Sequence, residues 1–384
     1  MRALGLVGRA SDAVGVMLRG IAYAQMGDLA LARDALERAA KLEGPPLVRT
    51  RIRAALVEIA MAEGDAASAA REAAAIADDL TRLGDPRNAA MQRLVVARAE
   101  VLLGRLAEAR HAVGEVLAAE LPRDVTAVAW LAKAEIAIRS IAANDARAAL
   151  TKARVSLAGA PNELLARVLV SLEAELTQPV ARLERRGVVR DADLYAIEAA
   201  SSGEVLLVDA CRRVVIGGRV TVPLAKRPVL FALVAVLAGA WPAEVERDAL
   251  AALAFDARRV NASHRSRLRV EIGRLRKLLA GIAEPVATEN GYTLSSTREV
   301  VLLRPPSDDD DARVAILLGD GAAWSAQAIA EHAGVSKRTA QRALAQLVEG
   351  GGAVRSGQGR ETRYVRPGPR IASRMLLLGL VPAS

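Results

Sequence analysis

The side chains best suited to chemistry in this chain are cations and amides rather than nucleophiles. Ser336, Lys337, Arg338, Thr339, Gln341 and Arg342 open a helical stretch that follows the turn Gly334-Val335. Arginine pairs bidentately with guanine and glutamine with adenine, so this grouping carries the types that read base edges. A second cationic run lies upstream: His264, Arg265, Arg267, Arg269, Arg274, Arg276 and Lys277, with Glu271 among them. Each run precedes a glycine-containing segment, Thr288 to Leu294 in one case and Ala353 to Val365 in the other. Both segments are expected to form basic wings, the second through Arg355, Gln358, Arg360 and Arg363. A helix carried on a partner helix and flanked by a cationic hairpin fits a major groove, with the hairpin reaching the adjoining backbone. Double-stranded DNA is the expected ligand.

Other chemistry finds little support, and neither a cofactor nor enzymatic activity is expected. His111 and His332 fall within helical patterns, where a satisfied or solvent-facing imidazole is the common case. His264 stands beside Arg265, better placed for phosphate than for general-base work. Cys211 is the only cysteine, which rules out an intrachain disulfide and a thiolate metal cluster. Its neighbours Arg212 and Arg213 would lower the thiol pKa in a redox sensor, but no second cysteine stands ready to resolve it. The run Asp308-Asp309-Asp310-Asp311 lacks the glycine and terminal glutamate of a calcium loop. It reads as a solvated linker that favours the positive end of a helix over Ala312 to Leu318.

Composition bounds the rest. In 384 residues, 52% are hydrophobic and only 2% aromatic, the mix of close-packed alanine- and leucine-rich helices. A formal net charge of +9 favours a polyanionic partner. The longest apolar stretch, Val229 to Trp241, is shorter than the roughly 20 residues a membrane span needs. The start, Met1 to Gly8, is too short in its apolar part for a secretory signal. A cytoplasmic location without membrane attachment is expected.

From Ala13 to about Leu176 apolar residues recur with helical period, broken at regular places. Gly27-Asp28, Gly64-Asp65, Gly104-Arg105 and Asn144-Asp145 each sit between two helical stretches, at intervals of 37, 40 and 40 residues. Glycine or asparagine there can take the left-handed conformation that ends a first helix, and the small residue five positions on lets a second helix lie close. A further helix is expected from Pro161-Asn162-Glu163 to Leu176. In the first unit Gly20, Tyr23, Gly27, Ala32, Leu36, Ala39 and Pro45 resemble the tetratricopeptide signature. Later units keep the turn and the small residue and exceed that family's spacing. The resemblance implies a tetratricopeptide-like α-solenoid that receives a peptide, a protein or a second copy of the chain; an ordinary bundle of alanine-rich helix pairs is the plain alternative.

Around Gln178-Pro179 the pattern changes. The polar stretch Ala181 to Asp193 reads as a connector or a cap, and Glu204 to Asp209, Arg213 to Ile216 and Arg219 to Val222 read as short antiparallel strands with a Gly217-Gly218 turn. Helices are expected over Pro228 to Ala240, Arg247 to Ala254 and Ser263 to Ala280. With Gly291-Tyr292 and the run Leu268 to Leu279, this order resembles the OmpR/PhoB winged-helix effector domain over roughly Gly203 to Ser296. The resemblance implies a recognition helix in the major groove and a wing at the minor groove, with Arg274 and Arg276 meeting phosphate or bases. Ser266, Glu271 and Gly273 depart from the family's basic groove face, and a carboxylate facing phosphate repels it. No receiver domain is read in the sequence.

Trp324 to Val348 gives a strong local helix-turn-helix signal, with Ser325 and Ser336 placed as N-caps. Ile329, Ala330, Ala340, Leu344 and Leu347 are expected on its buried face. Through Asp311 to Pro367 the segment resembles the winged helix-turn-helix of GntR/MarR/DeoR regulators, and Ile371 to Val381 reads as a terminal strand or helix. The expected fold is mainly α: a tetratricopeptide-like solenoid over 1–178, a connector over 179–202, an OmpR/PhoB-like winged helix over 203–304, a linker over 305–310 and a second winged helix over 311–384. The function expected is that of a DNA-binding transcriptional regulator whose solenoid mediates oligomerisation, as in a homodimer, or effector binding. The alternative is a protein-interaction adaptor.

Overall fold

The computed structural model describes residues 11–366 except 64, 160–161, 256, 258, 308, 320–321, 358 and 360–361, and gives no side-chain surroundings for Ser356. The fold is mainly helical, with a mixed sheet in its C-terminal part. Packing divides it into two units. One holds the described residues of 11–175 with 322–323 and 351–366; the other holds those of 176–319 and 324–350.

The first unit opens with four helix pairs: α1 (Ala13–Met26) and α2 (Leu29–Ala40), α3 (Pro46–Ala62) and α4 (Ala66–Arg82), α5 (Pro86–Leu102) and α6 (Leu106–Leu117), α7 (Arg123–Arg139) and α8 (Ala143–Ala158). A ninth helix, α9, spans Glu163–Thr177 and crosses the division between the units. Aspartates start several helices: the carboxylates of Asp12, Asp28, Asp65 and Asp85 each accept an N–H of the first turn. Small residues set the spacing within pairs. A Cβ at Gly20 would lie 2.7 Å from Cγ of Leu36, so α1 and α2 touch at backbone range.

The first helix of each pair also touches the first helix of the next. Polar seams run along these contacts: Arg51 pairs with Asp85 at 2.7 Å, Gln92 Nε2 donates to Glu58 at 3.1 Å, and Arg98 pairs with Glu135 at 2.7 Å. The sequence intervals are 34, 34 and 37 residues, so each contact joins one helix pair to the next. One turn differs from expectation. Asn144 lies inside α8, and the break falls at Ser140–Ala142, where Ile141 takes φ 56°.

The second unit is built around a six-stranded sheet in the order β2-β1-β9-β3-β4-β5. Its strands are β1 (Ala181–Arg185), β2 (Val188–Ala192), β3 (Leu206–Asp209), β4 (Val214–Gly217), β5 (Val220–Pro223) and β9 (Val300–Arg304). The stretch 181–193 is therefore no connector: β1 and β2 form a hairpin, followed by the short helix α10 (Leu194–Ser201). The period-2 signal was weak there because four of the five β2 residues are exposed. In the middle of the sheet β3 and β9 run parallel, Leu206 opposite Val300 and Val208 opposite Leu302. Both strands are buried, which explains their unbroken apolar sequence.

Between β5 and β9 come α11 (Pro228–Ala240), β6 (Val245–Glu246), α12 (Arg247–Phe255), α13 (Ala262–Leu278), β7 (Glu284–Ala287) and β8 (Gly291–Ser295). These last strands make a second sheet in the order β6-β8-β7. Leu230, Leu233, Val234, Leu237, Leu250, Leu268, Ile272, Leu275 and Tyr292 close one core between the three helices and both sheets. Gly291 is required where it stands. A Cβ there would collide with the Val245 carbonyl oxygen, the backbone partner that ties β8 to β6.

Three further helices, α14 (Asp310–Leu318), α15 (Ala326–Ala333) and α16 (Lys337–Glu349), pack on one another through Val314, Leu317, Ile329, Ala340 and Leu344. The Asp309 carboxylate caps α14 through the Ala312 N–H at 2.7 Å. In the first unit, β10 (Val354–Ser356) pairs antiparallel with β11 (Arg363–Val365), Arg355 opposite Tyr364. Gln358, Arg360, Met1 to Gly8 and Ile371 to Val381 lie outside the described residues. Among the described residues no helix is long and apolar enough to cross a membrane.

Candidate nucleic-acid interface

Two helices present the residues singled out in the sequence. The helix α16 starts at Ser336, whose hydroxyl accepts the Thr339 N–H at 3.0 Å and lies 2.8 Å from the Thr339 hydroxyl. The preceding turn is made by Gly334 at φ 72°, a conformation that costs other residues roughly 1 to 2 kcal/mol. A Cβ at Gly334 would also collide with the Arg213 guanidinium, whose burial pushes its pKa down.

With about 100° between successive residues, the buried side chains Ala340, Ala343 and Leu344 fix the inner face of α16. Arg338, Arg342, Ala345 and Glu349 then lie farthest outward, with Lys337 and Gln341 on one flank; all are exposed. Among the described residues Arg342 has one weak partner, Asp311 at 3.7 Å. Lys337 and Arg338 have no ion-pair partner among the described residues and stand in the first turn, where no acidic residue balances them. That is the positive end of the helix macrodipole, so both cations occupy unfavourable positions for folding alone.

The helix α13 carries six cations and one carboxylate over Ala262–Leu278. Its N-terminus is closed by a reciprocal pair: Asn261 accepts the His264 N–H at 3.0 Å, and His264 Nδ1 accepts the Asn261 N–H at 3.3 Å. The His264 ring stacks 6.0 Å from Phe255, and Arg267 lies over the Phe255 ring at 4.6 Å. His264 is thus engaged in capping rather than turned toward a phosphate.

The cations of α13 divide into those tied down and those left outward. Arg265 grips Asp248 through Nε at 2.8 Å, and this hydrogen bond holds the carboxylate below its usual pKa range. Arg276 pairs with Glu284 at 2.9 Å and donates to the Pro285 carbonyl at 2.8 Å, so it braces the base of the β7–β8 hairpin. Arg274 pairs with Glu271 at 2.9 Å while remaining 64% exposed. Arg269 and Lys277 are exposed, with no ion-pair partner among the described residues.

Two expectations about this module are corrected. Glu271 does not face outward. Its side chain is 12% exposed and turned to the flank, where it borders an open pocket with Arg227, Pro228, Val229, Arg274 and Lys277. Nor is the first wing basic, since residues 284–295 contain Glu284 and Glu289 and no lysine or arginine. The Gly-Tyr pair instead serves packing, with Tyr292 buried and Arg247 lying 5.9 Å from its ring centroid.

The remaining reactive groups are occupied structurally. Burial, reinforced by Asp209, pushes the Cys211 thiol pKa up, the reverse of a thiol activated by its arginine neighbours. Asp209 itself accepts the N–H groups of Cys211 at 2.8 Å and Arg212 at 3.0 Å and closes the β3–β4 turn. His332 bonds the Ala328 carbonyl through Nδ1 at 2.9 Å and meets Trp324 edge-on. His111 is exposed, 3.8 Å from Glu115. In the β10–β11 hairpin Arg355 is exposed and Arg363 half-buried, with Arg363 Nη1 donating to the Thr362 carbonyl at 3.0 Å.

Compared with known proteins, the chain matches no family model, no curated protein and no solved structure.

Proposed function

We propose that this chain is a DNA-binding transcriptional regulator in which α13 and α16 are presented to the major groove. The helix, strand, helix, helix, hairpin order from α11 to β8, with β8 central in the small sheet, is the order of a winged helix. Helices α14 to α16 supply a second helix-turn-helix, and the stacked helix pairs of the first unit act as a tetratricopeptide-like scaffold for oligomerisation or for a protein partner.

One observation carries this reading. Arg338 and Arg342 lie on the outermost line of α16 beside Lys337 and Gln341, with cations held at the unfavourable end of the helix. A polyanion removes that penalty, whereas an isolated fold gains nothing from it. Titration of a random-sequence duplex at rising salt tests the reading. About six neutralised phosphates give a log-log slope near −5, and no salt-sensitive binding at micromolar protein would overturn it.

The adaptor reading draws on a different observation, the acidic β7–β8 hairpin that would otherwise approach a backbone. The absorbance ratio of the purified chain separates the two, since a DNA binder of this charge carries nucleic acid through low-salt purification.

A further inference from the structure

Leu268, Ile272 and Leu275 are buried along α13 and define its inner line, continued by Leu279 just beyond the helix. At about 100° per residue the opposite line is Ser263, Ser266, Val270, Gly273 and Lys277. Arginines stand on both sides of it, Arg265, Arg269 and Arg276 on one and Arg267 and Arg274 on the other. The outer ridge is therefore low and nearly uncharged between two cationic rows. Val270 is its one branched apolar side chain and is 55% exposed. Gly273, the next position on the ridge, has open space around its Cα: a Cβ there would meet nothing within 4 Å. Among the described residues no packing calls for glycine at this mid-helix site, where it costs about 1 kcal/mol against alanine.

Taken together, these positions describe the surface that a major groove receives: a shallow ridge entering between two phosphate rows, with the exposed Arg269 on one side of it and the exposed Arg274 on the other. At the floor of that groove the one apolar group offered by a base pair is the thymine C5-methyl. Building on the DNA-binding reading above, we infer that Val270 is a specificity-determining residue that selects thymine through methyl contact, with Ser266 and Gly273 leaving the clearance for it. The departures of this helix from an all-basic face then serve reading rather than weaken it. Glu271, turned aside onto Arg274, does not oppose the approach.

The test uses the full chain and duplexes selected by it from a random-sequence pool. Each thymine of the selected duplex is replaced in turn by deoxyuridine, which lacks only the methyl group. At one position the replacement should weaken wild-type binding about fourfold, the transfer worth of one buried methyl-sized group. In Val270→Ala the same replacement should have no effect, while the salt slope and melting temperature stay those of wild type. If the selected duplex binds well but deoxyuridine and Val270→Ala are both silent, or their effects multiply at every position, the assignment of Val270 is wrong and DNA binding stands. If no duplex shows salt-sensitive binding, the DNA-binding reading falls and the role of Val270 with it.

Discussion

Lys337→Glu sets folding and binding against each other. Lys337 occupies the first position of α16, exposed, one residue after the Ser336 cap and at the positive end of the helix dipole. Removing a misplaced cation and installing an anion there each stabilise by several tenths of a kcal/mol, so the variant should gain about 1 kcal/mol. For a unit of this size that raises the melting temperature by about 3 °C. The same change removes two units of positive charge from the proposed interface. The log-log salt slope should fall by about 1.8, which near 0.15 M salt corresponds to about 30-fold weaker binding to any duplex. Lys337→Ala, with half the charge change, should lose about fivefold. Differential scanning calorimetry and fluorescence polarisation over 0.05 to ~0.3 M salt read the two effects separately. A variant that melts higher and binds DNA as before would refute the placement of this helix end on a phosphate backbone. One that loses stability and affinity together would refute the dipole reasoning.

Four further substitutions separate contributions to folding from contributions to binding. Gly291→Ala should cost more than about 3 kcal/mol, because the Cβ would meet the Val245 carbonyl oxygen rather than a side chain able to move, and urea unfolding measures it. Arg276→Ala and Arg269→Ala should separate: the first loosens the β7–β8 hairpin and lowers the melting temperature, while the second changes only the salt slope, by about 0.9. Glu58 is fully buried, and burial raises its pKa well above 4.5 against the opposing hydrogen bond from Gln92. The folded carboxyl keeps its proton where the unfolded one has lost it, so stability is present below the unfolded value and declines as pH climbs through the raised folded value. Glu58→Gln should abolish that decline in the urea midpoint as pH rises above the ordinary carboxylate range and leave the variant the more stable at the alkaline end.

Legibility in the sequence followed how local each cause was. The caps of α15 and α16, the Gly334 turn and the buried faces of those helices were readable because each rests on residues a few positions apart. The same holds for the helix pairs, whose aspartate starts and small residues repeat. The register near Asn144 was misplaced because a residue with poor left-handed propensity, Ile141, takes the turn. The β1–β2 hairpin escaped notice because most of β2 is exposed and shows no alternation, and strand β9 because its partners β1 and β3 are distant in sequence. Arg182 bonds the Pro305 carbonyl across 123 residues, and no periodicity in either segment announces that. On α13 the cations were found by type, but their division was not. Whether Arg265, Arg274 and Arg276 reach outward depends on Asp248, Glu271 and Glu284, two of which lie on other elements.

That division changes what the two helices can do. On α16 the outermost line carries Arg338 and Arg342, whose guanidinium groups are long enough, in the proposed bound state, to reach base edges while the helix axis stays high in a groove. On α13 the outermost positions are short, and the long cations stand to either side, so base contact requires the helix to sit deeper. A deep seat is compatible with Arg276 bracing the hairpin instead of meeting bases, and with Glu271 held at the flank by Arg274. Under the proposed DNA binding, the two surfaces would take different partners along a duplex, guanine and adenine edges for α16 and thymine methyls for α13. A site selected by the full chain should be asymmetric in composition within each bound copy, and truncation to residues 1–304 should erase the guanine-bearing half while leaving the thymine-bearing half.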